Sequence, residues 1–147
     1  ASHEVPFPFD QRWGMKLWRA AFLTKPDTAP EADRSDAWNR GKLLVNGAAH
    51  CAACHTTRNF AGARIVSKRF SGNDALPGGG KAPSIRTRDL VSEGWTTDDM
   101  AYALRSGITP SGDVFGGSMA EVVRYGTGFL SDADLNAMAT YLLDNKS

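Results

Sequence analysis

The sequence has 147 residues, enough for one compact domain with some extension. Its 17 Lys and Arg side chains nearly balance its 16 Asp and Glu side chains, which argues against nucleic-acid binding because that function leaves a strong basic bias. No stretch approaches the roughly 20 consecutive apolar residues of a membrane-spanning helix, so no transmembrane segment is expected.

The first elements in chain order belong to an N-terminal extension, residues 1–35. Prolines keep Val5–Phe9 extended, and the spacing of apolar residues then predicts a short aromatic helix over Trp13–Leu23. Pro26 ends that helix, and residues 27–34 are interpreted as a polar linker. Two roles stay open for the helix: packing on its own domain, or docking a partner subunit.

The rest of the chain, residues 36–147, is predicted to be an all-α domain of a few helices and long loops. A second helix should run from Asp36 to Asn46 with Ser35 or Asp36 as its N-cap. Thr96 begins a sequence typical of a capping box, which predicts a third helix that ends at Gly107. The last helix follows Ser131 and places these apolar residues on one face: Leu135, Met138, Ala139 and Leu142. The weakly periodic or Gly-rich stretches between these helices, residues 56–95 and 108–130, are predicted to be loops.

The chain's two cysteines lie in one motif, Cys51-Ala-Ala-Cys54-His55. Cys-x-x-Cys-His is the attachment sequence for c-type haem. Two thiols three positions apart can reach the two vinyl groups on one edge of the porphyrin, and the adjoining imidazole then faces the iron as the proximal ligand. The sequence therefore predicts one covalently bound haem c.

Two other uses of this motif fit less well. A structural zinc site needs four ligands, and beyond the two cysteines and His55 only His3 and His50 remain as histidines. A thioredoxin-like dithiol needs a βαβ setting, and no strand pattern surrounds these cysteines.

The second axial ligand of the iron has several candidates: Met15, Met100, Met119, Met138, His3 and His50. His50 adjoins Cys51 and stays on the proximal side, while Met100 and Met138 occupy apolar helical positions that are more typical of a core. Met119 follows Gly116-Gly117-Ser118 in a predicted loop, where the backbone can bring a thioether to the iron. We favour Met119.

The chain resembles the class I cytochrome c fold. More narrowly, it is similar to the haem domains of cytochrome subunits that serve bacterial alcohol, aldehyde and gluconate dehydrogenases. The similarity covers residues 36–147, and residues 7–18 are similar to a stretch that precedes a haem domain in such subunits. The segments that carry it are residues 39–47, 51–59, 82–85, 103–112, 116–123, 130–135 and 141–142. It implies that Gly41 lets the first domain helix cross the last one closely, near Tyr141.

The resemblance also implies roles for matched site residues. Met119 would be the distal ligand, and the Pro83 carbonyl would accept a hydrogen bond from the second nitrogen of His55. Trp95 and Arg105 would contact the haem propionates, although ordinary packing and surface charge explain these two residues nearly as well.

These observations predict a single-electron carrier rather than an enzyme. We expect a periplasmic protein that accepts electrons from a dehydrogenase and passes them to an oxidase or another cytochrome. Subunits of the similar family usually carry two or three haem motifs, whereas this sequence has one. The alternative is a haem enzyme or a gas sensor with a labile distal Met119, and both require an iron position that can open.

Overall fold

The computed structural model describes residues 7, 10–76 and 79–144, and the architecture of this part of the chain is helical. Its α-helices are α1 (Arg12–Phe22), α2 (Asp36–Leu43), α3 (Thr87–Ser92), α4 (Thr97–Ser106), α5 (Gly117–Tyr125) and α6 (Asp132–Leu143). Its short 3₁₀ turns are Cys51–Ala53, Val66–Lys68 and Thr127–Phe129. The described residues form only isolated β-bridges, so the all-α prediction is confirmed. The predicted extended stretch Val5–Phe9 lies, except for Phe7, outside the described residues.

Helices α2 and α6 cross at Gly41. A Cβ atom at this position would overlap the carbonyl group of Ala137 and would lie 2.7 Å from the Cβ of Tyr141. Beside the crossing, the rings of Trp38 and Tyr141 pack edge to face with their centroids 5.0 Å apart. The indole of Trp38 also donates a hydrogen bond of 2.9 Å to the Asp144 carbonyl. The close approach implied for Gly41 is therefore present.

The second helix ends differently from the prediction. Its α-helical part stops at Leu43, and a π-helical turn, Leu44–Ala48, continues the chain toward the cysteine motif. The amide of Asn46 donates to the Asp27 carbonyl at 2.7 Å and to the Tyr141 hydroxyl at 3.1 Å. Because these partners lie 19 and 95 residues away, no local pattern indicates the wider turn.

Two predicted loops contain helices, and the prediction was wrong there. Residues 56–95 include α3, which is only six residues long and too short for its periodicity to stand out. Residues 108–130 include α5, whose first residue, Gly117, has a left-handed φ of 54°. The glycines that suggested a loop form the start of α5, and the apolar residues that follow, with Val123 buried, extend it.

Helix α1 agrees closely with the aromatic helix predicted near the N-terminus, but none of its residues is buried. The indole of Trp18 donates a hydrogen bond of 2.8 Å to the Ala61 carbonyl, which ties one side of the helix to the following domain. Trp13 and Leu17 remain 66% and 64% exposed. Within the described residues, no helix combines the length and the apolar character needed to cross a bilayer.

Candidate haem-binding site

The cysteine motif folds into a tight turn that is closed by its own backbone. The amides of Cys54 and His55 both donate to the Cys51 carbonyl, at 3.2 and 3.0 Å. His50, directly before the turn, adopts a left-handed conformation with φ 40° and ψ 40°, which redirects the chain out of the preceding π-helical turn. The Cys51 side chain is half-buried against the core and Cys54 is exposed, so one short segment presents both thiols and the imidazole.

The imidazole of His55 is buried and held by one hydrogen bond. Its Nδ1 lies 2.8 Å from the Pro83 carbonyl oxygen, and because a carbonyl can only accept, Nδ1 carries the proton. Burial lowers the pKa of His55, while the bond to Pro83 opposes that shift. Nε2 has no hydrogen-bond partner among the described residues, so a neutral ring presents an oriented lone pair. This is the arrangement that the resemblance implies for His55 and Pro83.

Backbone hydrogen bonds hold the chain around Gly72 and Ile85 beside the His55 segment. The Gly72 amide donates to the His55 carbonyl at 3.1 Å, and the Ile85 amide donates to the Phe70 carbonyl at 2.9 Å. Gly72 has a φ of 85°, and a Cβ there would lie 2.8 Å from the Ala82 carbonyl oxygen. Sequence reasoning missed Gly72. Its only signal was weak: a lone glycine between polar residues, eleven positions before the expected proline.

The environment of Cys51 differs from that of a reactive dithiol. Burial raises the pKa of the Cys51 thiol to about 11, whereas reactive dithiols need a lowered pKa. The described residues also contain no group of three or more His, Cys, Asp and Glu side chains that could hold a metal ion. The described donor set, two thiols beside one buried imidazole, is compatible with thioether formation and a single histidine ligand.

The methionine candidates differ in their surroundings. Met100 and Met138 are buried core residues on α4 and α6, as their apolar spacing suggested. Met15 is exposed on α1. Met119 lies in the first turn of α5 rather than in a loop, and its half-buried side chain packs against the same core cluster as Cys51. Of the candidate histidines, His50 is exposed with Nδ1 3.0 Å from the Ala48 carbonyl, and His3 lies outside the described residues.

The two residues suggested for propionate contacts have protein partners. The Trp95 side chain packs against the core cluster while its indole Nε1 donates to the Glu93 carboxylate at 3.2 Å. The Arg105 guanidinium donates to the Gly128 carbonyl at 2.7 Å and to Asp132 at 2.6 Å. Their role toward a haem stays a prediction, and for Arg105 it requires sharing the guanidinium with these acceptors.

A helical domain with a Cys-x-x-Cys-His turn, whose histidine donates a hydrogen bond to a backbone carbonyl, defines a c-type cytochrome. The sequence model of the cytochrome c family matches residues 38–146, and the chain belongs to that family. It is 39% identical over 149 residues to the cytochrome c subunit of the quinone alcohol dehydrogenase of Gluconobacter oxydans. It is also 39% identical over 145 residues to a diheme cytochrome c-type protein of Cereibacter sphaeroides, and 36% identical over 141 residues to the fructose dehydrogenase cytochrome subunit of Gluconobacter japonicus.

These relatives are much longer than the chain. Each alignment covers 95% of this chain but only 30%, 46% and 28% of the respective relative. The chain thus spans between about a quarter and a half of the length of these proteins. What the chain shares with them is a cytochrome c unit, and the activity of the whole protein is a matter for proposal.

Proposed function

We propose that this chain is a one-electron carrier with one covalent haem c that is ligated by His55 and Met119. Haem, when bound, supplies reversible one-electron chemistry at its iron. Cys51 and Cys54 would hold it through thioether bonds, and the chain's own contribution is to fix the ligands and to surround the group with apolar side chains. The single observation that carries the proposal is the buried, singly protonated His55 held by Pro83 directly after the paired thiols.

The choice of Met119 rests on burial and on elimination. It is the one methionine of the described residues that is neither fully buried in the core nor on the exposed face of α1. Its position in the first turn of α5 leaves its side chain against the cluster that also contacts Cys51. A thioether ligand favours ferrous iron and so raises the reduction potential.

A dehydrogenase is the electron donor that we propose, because several relatives are named as cytochrome subunits of alcohol, fructose and gluconate dehydrogenases. We further propose an oxidase or another cytochrome as acceptor and the periplasm as location, since covalent haem attachment takes place outside the bacterial cytoplasm. Because Cys54 is exposed, we expect the attachment edge of the haem to lie at the protein surface, where a partner could approach it.

Acid-acetone extraction tests the attachment. The colour should remain with the polypeptide, and the haem content should be one per chain. A variant with Cys51→Ala and Cys54→Ala should lose the colour. Colour that moves into the organic phase of the unaltered protein would refute covalent binding.

Spectroscopy of methionine variants tests the distal ligand. The ferric protein should show the weak far-red band of iron-bound sulfur, and Met119→Ala should abolish it and lower the potential. Met100→Leu and Met138→Leu are matched controls that should keep the band, because both side chains are core residues. A band that persists in Met119→Ala would assign the ligand elsewhere.

Carbon monoxide distinguishes the carrier from the alternative of a haem enzyme or gas sensor. A firmly held Met119 should keep carbon monoxide from binding to the reduced protein, whereas Met119→Ala should bind it readily. Ready binding to the unaltered protein would favour the enzyme or sensor.

A further inference from the structure

The carbonyl that holds the imidazole of His55 belongs to the peptide unit between Pro83 and Ser84. Its oxygen lies 2.8 Å from His55 Nδ1 and accepts the ring proton. Because a peptide unit is planar, this carbonyl cannot turn without moving the Ser84 amide that shares its plane. Contacts that fix Ser84 therefore also fix the hydrogen bond to His55.

Backbone contacts hold one end and one side of this peptide unit. Before Pro83, Ala82 and Asn73 exchange two backbone hydrogen bonds, of 2.8 and 2.9 Å. Gly72 lies close behind the unit, since a Cβ there would be 3.0 Å from the Ser84 nitrogen and 3.1 Å from the Pro83 carbonyl carbon. The other end of the unit, at Ser84, is held in part by a side chain.

The Ser84 hydroxyl ties the peptide unit to α3. Its Oγ lies 2.5 Å from Asp89 Oδ2 and 3.1 Å from the Phe70 carbonyl oxygen. The hydroxyl has one proton for these two acceptors, and hydrogen bonds from a hydroxyl to a carboxylate are typically about 2.5–2.7 Å long. The proton therefore lies in the bond to Asp89. The same Oγ accepts from the Arg86 amide at 3.3 Å, so both bonds fasten Ser84 to the start of α3.

The carboxyl group of Asp89 is ionised at neutral pH. The hydrogen bond from Ser84, together with the charges of Arg88 and Arg86, lowers the pKa of Asp89. Arg88 Nε lies 3.4 Å from Oδ1, the carboxylate oxygen that does not face Ser84. An ionised carboxylate can only accept hydrogen bonds, so it keeps the Ser84 hydroxyl oriented toward it.

We propose that Ser84 and Asp89 are positioning residues that hold the Pro83 carbonyl on His55 Nδ1 and thereby lower the reduction potential of the haem. This inference rests on the proposed ligation of the iron by His55. A hydrogen bond from Nδ1 raises the basicity of the ligating nitrogen. A more basic imidazole favours ferric iron, which carries more positive charge than ferrous iron. Loosening the Pro83 carbonyl should therefore raise the potential.

Potentiometric titration of the holoprotein tests this role with Ser84→Ala, which removes the hydroxyl and keeps the charge of Asp89. At the midpoint potential of the unaltered protein, the ratio of ferrous to ferric haem should rise roughly threefold or more. Loss of such a partner of a ligating histidine typically costs about 10–100-fold in metal affinity or activity, and here the partner is loosened rather than removed. Asp89→Asn should shift the ratio in the same direction, and Ser84→Thr, which keeps a hydroxyl, should stay near the unaltered ratio.

Two matched controls separate this role from the loss of any hydroxyl or any charge. Ser71→Ala removes a hydroxyl that donates to the Lys68 carbonyl at 2.7 Å. Asp74→Asn removes an exposed carboxylate whose nearest cation is Lys81 at 3.7 Å. Neither residue is bonded to the Pro83–Ser84 peptide unit in the described structure, so both variants should keep the unaltered potential.

Nuclear magnetic resonance of the ferrous protein gives a second readout. The Nδ1 proton of His55 should exchange with solvent faster in Ser84→Ala and in Asp89→Asn than in the unaltered protein and in the two controls. If Ser84 and Asp89 served only to begin α3, their loss would lower the melting temperature but would leave both the potential and this exchange rate unchanged.

Three results would overturn the inference. An unchanged potential in Ser84→Ala that retains covalent haem would overturn it and leave the proposed function standing. A shift in Asp89→Asn no larger than that in Asp74→Asn would attribute the effect to net charge, and this comparison decides the question if Ser84→Ala fails to fold. Absence of covalent haem from the unaltered protein would instead refute the proposed function, and the inference with it.

Discussion

Replacing Gly41 with alanine should destabilise the domain by about 2 kcal/mol. The added Cβ would lie 2.6 Å from the carbonyl carbon of Ala137 and 2.7 Å from the Cβ of Tyr141, against about 3.5–4.0 Å for a normal carbon contact. Both obstacles are backbone or Cβ atoms that cannot rotate away, and the Ala137 carbonyl oxygen lies closer still, so α2 and α6 must move apart. Overpacking of this kind costs about 3 kcal/mol at the upper end, and the higher helix propensity of alanine offsets about 1 kcal/mol.

Chemical and thermal denaturation of the holoprotein, both followed by circular dichroism, measure this loss of stability. The melting temperature should fall by roughly 8 °C. Gly14→Ala on α1 is the matched control, because the nearest neighbour of its Cβ is the Gln11 Cβ at 4.0 Å. The control should leave stability unchanged or raise it by up to about 1 kcal/mol. A Gly41→Ala protein as stable as the unaltered one would refute the reasoning about the helix crossing.

Three further changes test other parts of the chain. Thr96→Ala should cost about 1 kcal/mol in urea denaturation because its hydroxyl accepts from the Asp99 amide, whereas Thr96→Ser should cost much less. The hydrogen bond to Arg40 lowers the pKa of Asp134. The stability that this carboxylate contributes is therefore present above its unfolded pKa and is lost as the pH falls through the lowered folded pKa. Asp134→Asn should remove that part of the loss of stability in acid. Changing exposed Trp13 and Leu17 together to serine should leave the melting temperature unchanged but weaken binding to the dehydrogenase proposed above as partner. A sharp loss of stability would instead favour packing on the domain.

Elements with signals in neighbouring residues were predictable from the sequence. Ser35, Thr96 and Ser131 each accept a hydrogen bond from a backbone amide three residues later, and each begins a predicted helix. Gly107 ends α4 in the left-handed conformation that glycine adopts most readily. The motif at residues 51–55 is equally local, so its chemistry follows from five consecutive residues.

Features that depend on distant partners were not predictable in this way. The π-helical turn at Leu44–Ala48 coincides with the bonds of Asn46 to the Asp27 carbonyl and the Tyr141 hydroxyl, which no local pattern reveals. Likewise, Met119 was expected in a loop because glycines precede it, although a helix beginning at Gly117 places it on the core.

The segment before the cytochrome domain illustrates how composition misleads about structural units. Its polar residues 27–34 suggested a linker, yet Asp27 and Glu31 neutralise buried Lys42, and Arg34 forms an ion pair with Asp144 at 2.9 Å. The family model begins at residue 38, whereas the similarity to each relative named above covers 95% of the chain and so extends through most of the preceding segment. Removing this segment would leave Lys42 buried without counter-charges. The charged residues of 27–34 therefore stabilise the domain around α2 and do not form a solvent-exposed linker.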